Sequence, residues 1–379
     1  MQRKKIYRML AVFVSATFLM TGCGNSAGNS SASSANSQSE STDNSSSSAS
    51  SDKTSSTESS SDKDGTRTIT DTKGNEVQLP EEVDKVATTI GAFAQITNLV
   101  GGADKLAASI PKLSDMYHTV WPNANQDNND ASNMESIIDS GAQVVYGPNI
   151  DDQQAKQLED AGIAVVTVDS FSNADELKKS ITLIADILGE DAPEKAKKFN
   201  DYYDDTINYV KDKTKDLKDD EKVKVLNLRY SGDNYTTVNA GDISSFYVEC
   251  AGGIVSSADY TGTDQGTAMV VSTEQILEWN PDVIFTMGQS ARDQIKKDPA
   301  LASVSAVQND KVYTEPSGTY PWSVRSAEGA LMPLFLAEIM YPDTFQDLNL
   351  DDKIKEFYKE FYEYDLTEDQ VKTIEAGEE

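Results

Sequence analysis

The chain reads as an α/β protein of two lobes with mainly parallel sheets, joined by one long α-helix. Three features predict this. Short β-rich runs alternate with segments of helical period. One helical stretch in the middle is too long for a crossover inside a lobe. One pattern of capped helix, turn and strand occurs twice, once on each side of that stretch.

In chain order, residues 1–22 form the first element. Arg3, Lys4, Lys5 and Arg8 precede an apolar run from Met9 to Met20, which ends at Thr21, Gly22 and Cys23. A basic head, a short apolar core and small residues before a cleavage point make a secretory signal, and the core is too short to span a bilayer as a mature helix. The stretch resembles a bacterial lipoprotein signal, in which Cys23 carries the lipid. A palmitate-type acyl chain added to a diacylglyceryl cysteine meets the two-signal requirement for stable anchoring. Residues 23–64 are mostly Ser, with Asn, Asp, Ala and Thr and no aromatic or branched aliphatic residue. Such a segment has nothing to bury and is expected to be a disordered stalk. A spacer of roughly 40 residues has a root-mean-square reach of about 35 Å.

The remainder, residues 65–379, is too long for one compact core and suits two lobes. The N-terminal α/β lobe, 65–190, has β-rich runs at 85–89, 143–146 and 164–168. A helical stretch follows from 174 to about 217, broken near Gly189 to Pro193. Its second part, within the connecting element 191–217, opens with Pro193 and Glu194 and carries Ala196, Phe199, Tyr203, Ile207 and Val210 at three- and four-residue spacing. A helix of about 25 residues is roughly 37 Å long, which suits a strut between lobes. The C-terminal α/β lobe, 218–379, has β-rich runs at 224–228, 282–286 and 311–314. Gly252 and Gly253 read as a helix C-cap.

Residues 133–146 align without gaps on residues 272–285. Each copy has a glutamate in its first helical turn (Glu135, Glu274), an apolar pair (Ile137 and Ile138, Ile276 and Leu277), a turn and a strand. Two lobes of similar build follow, each offering one glutamate at an equivalent place. Acidity there is explained either by the helix macrodipole or by a shared role in docking.

Composition narrows the function. The chain has 33 Lys and Arg against 63 Asp and Glu, a net charge of −30, which disfavours nucleic acid and anionic lipid as partners. With Cys23 assigned to the anchor, Cys250 has no disulfide partner and reads as a small buried hydrophobe. His118 is the single histidine, so no His-rich zinc or manganese site can be assembled, and no resident metal or cofactor is expected.

The segments 67–80 and 83–87, with the two glutamate segments and the run from Val271 to Leu277 followed by Asn280, Pro281, Asp282, Val283 and Ile284, resemble substrate-binding proteins of iron-siderophore, haem and vitamin B12 importers. The resemblance covers nearly everything from Thr66 onward. It implies two Rossmann-like lobes of the class III periplasmic-binding-protein type, with ligand held between them and delivered to an ABC permease driven by a cytoplasmic ATPase. It also implies that Glu135 and Glu274 dock onto the permease, with the lipidated Cys23 as the only membrane contact, on the extracytoplasmic face.

Open α/β sheets bind ligands beyond the carboxyl ends of their strands. Two proline-marked loops there carry large aromatics, one with Met116, Tyr117, His118 and Trp121, the other with Tyr320, Trp322 and Arg325. Trp121 and Trp322 fit either a ligand wall or a staple holding the loop to its lobe, and Trp279 reads as packing. Besides Arg229 and Arg325, the folded region has only Arg67 and Arg292. Against an acidic background Arg229 and Arg325 read as clamps for anionic oxygens, with surface ion pairs as the alternative. Tyr117, Trp121, Arg229, Trp322 and Arg325 are thus the expected ligand-binding set. An iron-siderophore complex is the first expectation, with a corrinoid or haem behind it. Haem would draw an axial donor from Met116, Tyr117, His118 or Tyr320.

No Ser-His-Asp set, His-Glu-x-x-His motif or phosphate-cradling Gly-rich loop occurs, so an enzyme is not expected. A surface adhesin or sensor that kept the fold but not transport is the remaining alternative.

Overall fold

The computed structural model describes residues 65–377, except 231, 233, 266 and 267. The leader, Cys23 and the stalk lie outside the described residues. Strand β1 (Thr66–Thr70) pairs antiparallel with β2 (Glu76–Pro80) as an opening hairpin.

The N-terminal lobe is an all-parallel sheet of β3 (Val86–Thr88), β4 (Leu106–Ala108), β5 (Val144–Gly147) and β6 (Ala164–Thr167), in the order β4-β3-β5-β6. Its β3 and β5 are apolar and buried along their whole length or nearly so, the pattern of strands covered on both faces. The C-terminal lobe centres on three parallel strands, β7 (Lys224–Tyr230), β12 (Val283–Thr286) and β13 (Val312–Thr314). Short β9 (Ile254–Val255) pairs with the first half of β7. From the second half of β7 an antiparallel extension runs through β8 (Tyr235–Thr237), β11 (Ala268–Val271) and β10 (Thr263–Gln265).

All six β-rich runs of the sequence form strands, within a residue or two of the expected ends. The strut is the helix Ala192–Thr214, with Pro193 in its first turn. Its 23 residues make it about 34 Å long. It ends at Thr214, three residues before the expected stop. The preceding helix, Ala174–Leu188, is cut off by Gly189 and Glu190, at φ 71° and 54°, which turn the chain sharply.

The strut buries Ala196, Phe199, Tyr203, Ile207 and Val210. Phe199 meets Phe361 of the helix Leu350–Phe361 edge-on, with ring centres 5.4 Å apart. One continuous core passes from Phe93 and Tyr146 in the N-terminal lobe, through Phe199 and Tyr203, to Phe285 and Leu336 in the C-terminal lobe. Separate smaller cores cover the other face of each sheet, around Ile137 and Val145 in one lobe and Ile276 and Ile284 in the other.

Polar contacts also cross the lobes. Gln95, on the helix Gly91–Leu99, accepts from the Ala327 backbone N–H at 2.8 Å and donates to Thr319 Oγ1 at 2.7 Å. Ser114 Oγ donates to the Gly318 carbonyl at 2.9 Å. The segment from Pro316 to Glu328 therefore forms the C-terminal lobe's side of the junction.

Candidate functional site

The ends of β7, β12 and β13 bring together a group of polar side chains that the fold leaves unsatisfied. Arg229 lies near the end of β7, paired across the sheet with Thr236. Glu315 directly follows β13, its backbone N–H bonded to the Thr286 carbonyl at 2.9 Å at the end of β12. Ser323 and Arg325 come from the loop beyond. Nε of Arg229, both carboxylate oxygens of Glu315, Oγ of Ser323 and Nε of Arg325 are all shielded from solvent, and none has a hydrogen-bond partner among the described residues. Neither Arg229 nor Arg325 has an ion-pair partner there, although the same region of chain forms sixteen ion pairs through Lys and Arg292.

Burial pushes the Glu315 carboxyl up to about 7, although Ser323 and the charge of Arg229 oppose the rise. Tyr320 is half-buried beside Arg325, and burial raises its phenol while the guanidinium holds it back. Across the junction Gly91 faces Tyr320 so closely that a β-carbon at Gly91 would lie 2.9 Å from the tyrosine ring. Any side chain at Gly91 would push Tyr320 away.

The aromatic residues of the expected ligand set are placed elsewhere. Trp322 is fully buried, and its Nε1 donates to Oε2 of Glu328 at 2.9 Å. Trp121 is 7% exposed and sits edge-on between Tyr117 at 5.1 Å and Tyr362 at 4.5 Å. Tyr117 is 1% exposed and its hydroxyl accepts from Asn98 Nδ2 at 2.7 Å. All three are core side chains, and for Trp121 and Trp322 the staple is the reading that describes this packing. His118 is exposed and Met116 half-buried, while Trp279 is half-buried against Tyr260. Of the five expected ligand contacts, Arg229 lies by Glu315 at the strand ends and Arg325 by Tyr320 on the loop beyond.

Glu315 was not among the expected residues. An acid immediately after a predicted strand, before a proline, was the available signal. Cys250 is buried and unpaired, its thiol pushed up to about 11 by burial.

The duplicated segments share their local structure feature by feature. Glu135 and Glu274 are both exposed in the first turn of a short helix, Met134–Asp139 and Thr273–Trp279, capped by Asn133 and Ser272. Gly141 and Asn280 end these helices at equivalent positions with φ of 72° and 43°. Next, the Gln143 N–H bonds to the Lys85 carbonyl at 2.8 Å, and the matching Asp282 N–H bonds to the Lys224 carbonyl at 2.9 Å. The Glu274 carboxylate is held below its ordinary range by its own backbone N–H and by Ser272.

A cavity of about 1270 Å3 lies elsewhere, between the β1–β2 hairpin and the helix Ala174–Leu188. Its charged lining is largely satisfied: Arg67 donates to the Asp186 and Ile187 carbonyls, and Lys178 pairs with Asp175 and Asp204. Among the described residues no cluster of three or more His, Cys, Asp or Glu could hold a metal, and no helix is long and apolar enough to cross a membrane.

Residues 86–319 match the model of a family described as periplasmic binding protein. The chain is 24% identical over 335 residues to the molybdate-binding protein MolA of Haemophilus influenzae, covering 78% of this chain and 91% of MolA. It is 27% identical over 286 residues to the ABC transporter substrate-binding lipoprotein YvrC of Bacillus subtilis, covering 74% of this chain and 87% of YvrC. A periplasmic solute-binding protein from Veillonella parvula superimposes with a TM-score of 0.70 at 28% identity, over 82% of this chain and 96% of that one. With two α/β lobes on one connecting helix and a family whose members carry solutes rather than catalyse reactions, the chain belongs to the periplasmic binding protein family, as a class III substrate-binding protein of ABC transporters.

Proposed function

We propose that this chain is a lipid-anchored, extracytoplasmic receptor of an ABC importer that captures an anionic iron complex of the siderophore type between its lobes. Cys23 carries the lipid, the Ser-rich segment is the tether, and Glu135 and Glu274 dock the loaded receptor on the permease. The observation that carries the ligand class is the pair Arg229 and Arg325. In a chain with a net charge of −30, arginines shielded at Nε and forming no ion pair among the described residues are open to an anion from outside.

A small oxyanion is the second reading. It is favoured by the burial of Trp121, Trp322 and Tyr117, which leaves no tryptophan wall for a broad ligand. The same burial counts against haem and corrinoids. The H. influenzae relative is described as molybdate-binding, which supports the oxyanion class.

The test is the visible absorbance of the protein purified from its native host, followed by calorimetric titration with a ferric tris-catecholate, a ferric hydroxamate, molybdate, cobalamin and haem. Binding of a ferric chelate supports the first reading, and binding of molybdate alone moves the assignment to the second. If only cobalamin or haem binds, or no anion does, the anion reading falls. Co-purification with a permease separates transport from adhesion or sensing.

A further inference from the structure

Glu315 stands out because a buried carboxyl rarely lacks a well-formed hydrogen bond at both oxygens, and here, among the described residues, the only donors that reach toward it are the hydroxyl and backbone N–H of Ser323. It is 1% exposed at the end of β13, and the charged groups acting on it are Arg229 from β7 and Asp242, the N-cap of the helix Ile243–Cys250. Asp242 is itself occupied, accepting from the Ser244 N–H and hydroxyl. Ser323, on the loop that leads to Arg325, is the neutral neighbour, and among the described residues its hydroxyl makes no well-formed hydrogen bond, leaning only toward Glu315.

An ionised Glu315 neutralises part of the field of Arg229 and repels an incoming anion. A protonated Glu315 does neither, and it offers an O–H donor where Arg229 offers N–H donors. We propose that anion capture at this site is proton-linked through Glu315, which takes a proton from solvent as the anion enters and shares that anion with Arg229. This rests on the anion reading above and deepens it, since it selects ligands that are full acceptors when bound. The two neighbouring charges oppose one another, Arg229 favouring the ionised form and Asp242 the protonated one, and the buried carboxyl titrates at about 7, within reach of an extracytoplasmic pH change.

The test is calorimetry on the full chain with molybdate and with a ferric tris-catecholate, in two buffers of different ionisation heat. The expected result is uptake of about one proton per anion at about pH 8, with affinity falling by up to about tenfold per pH unit above neutrality. Glu315→Gln, which mimics the protonated acid, should abolish the uptake, flatten the pH profile and bind more tightly than the parent at about pH 8. If the parent binds an anion with no proton uptake, or the variant keeps the parent's pH dependence, the role of Glu315 is overturned while the anion site stands. If neither anion binds the parent, the anion reading fails and this inference fails with it.

Infrared difference spectra of the parent provide a measurement independent of the variant's folding. Growth of a protonated-carboxyl carbonyl band when molybdate is added at about pH 8 supports the inference, and its absence overturns it.

Discussion

Trp322 Nε1 donates to Glu328 Oε2 across 2.9 Å, and both residues are completely buried. Glu328 also accepts from the Thr319 N–H and from the hydroxyls of Tyr358 and Tyr362, and from Gln95 of the other lobe at 3.3 Å. One buried carboxylate thus gathers donors from the interlobe segment, the C-terminal helix and the N-terminal lobe. Fully partnered groups of this kind are costly to disturb.

Trp322→Phe should therefore lower stability rather than ligand affinity. Losing the indole N–H leaves Glu328 short of a buried donor, costing about 1–3 kcal/mol. Urea unfolding with and without ligand would check this. A variant of parental stability with strongly weakened binding would put Trp322 back in the ligand site.

The sequence exposed the parallel strands because Val, Ile and Ala dominate them and helical periods separate them. It did not expose β8 to β11, which have two to four residues each and no period to detect. Trp121 and Trp322 looked like cleft residues because proline-marked loops carry no period that assigns a side chain to a core. Their burial depends on partners distant in sequence or easily overlooked. Trp121 packs on Tyr362, and the acid that satisfies Trp322 lies only six residues away at Glu328. Arg229 and Arg325 were recognisable from scarcity of arginine against an acidic background, whereas Glu315 was one acid among 63.

Arg229→Gln and Arg325→Gln should each weaken anion binding with little loss of fold stability, because neither guanidinium forms an ion pair among the described residues. A charge-assisted hydrogen bond is worth about 1.5–3 kcal/mol, or roughly ten- to 150-fold in affinity. Arg→Lys should recover part of the loss if charge dominates, and little if paired parallel donors are needed. Unchanged titration curves for both Gln variants would remove the cluster from the binding site.

Glu135→Ala and Glu274→Ala should leave ligand affinity and the unfolding midpoint nearly unchanged while lowering uptake by cells, with the double variant worse than either. Both side chains are exposed and form no ion pair among the described residues, so their removal disturbs little within the lobe. If uptake stays at the parental level and helix stability drops instead, acidity at these positions serves the helix dipole alone.

Cys23→Ala should shift the protein from the membrane fraction to the medium or leave it unprocessed, as seen by fractionation and gel mobility. Mature variant protein that still sediments with membranes would contradict anchoring through this residue.

Stability should also depend on pH through Glu315. Its carboxyl rises from 4.5 to about 7 on folding, so between those values the native protein holds a proton that the unfolded chain has released. The stabilisation is full below the unfolded value and is lost as pH rises through the folded one. A rise of that size corresponds to at most about 3.5 kcal/mol. Glu375, raised to about 7 by burial and then by Asp351 and Glu338, acts in the same direction, but half-exposed it contributes less. Asp71, Asp293 and Asp310, held low by their hydrogen bonds, act only at more acidic pH. Burial also raises the carboxyls of Glu328, Glu338 and Asp186, which act in the same direction, so between about pH 5 and 8 the unliganded parent should lose stability and Glu315→Gln should lose less. The gap between the two, read from urea midpoints, should widen with rising pH, because the glutamine has no proton to release. A gap constant across that range would mean that Glu315 does not change its protonation there, and the burial argument would have to be abandoned.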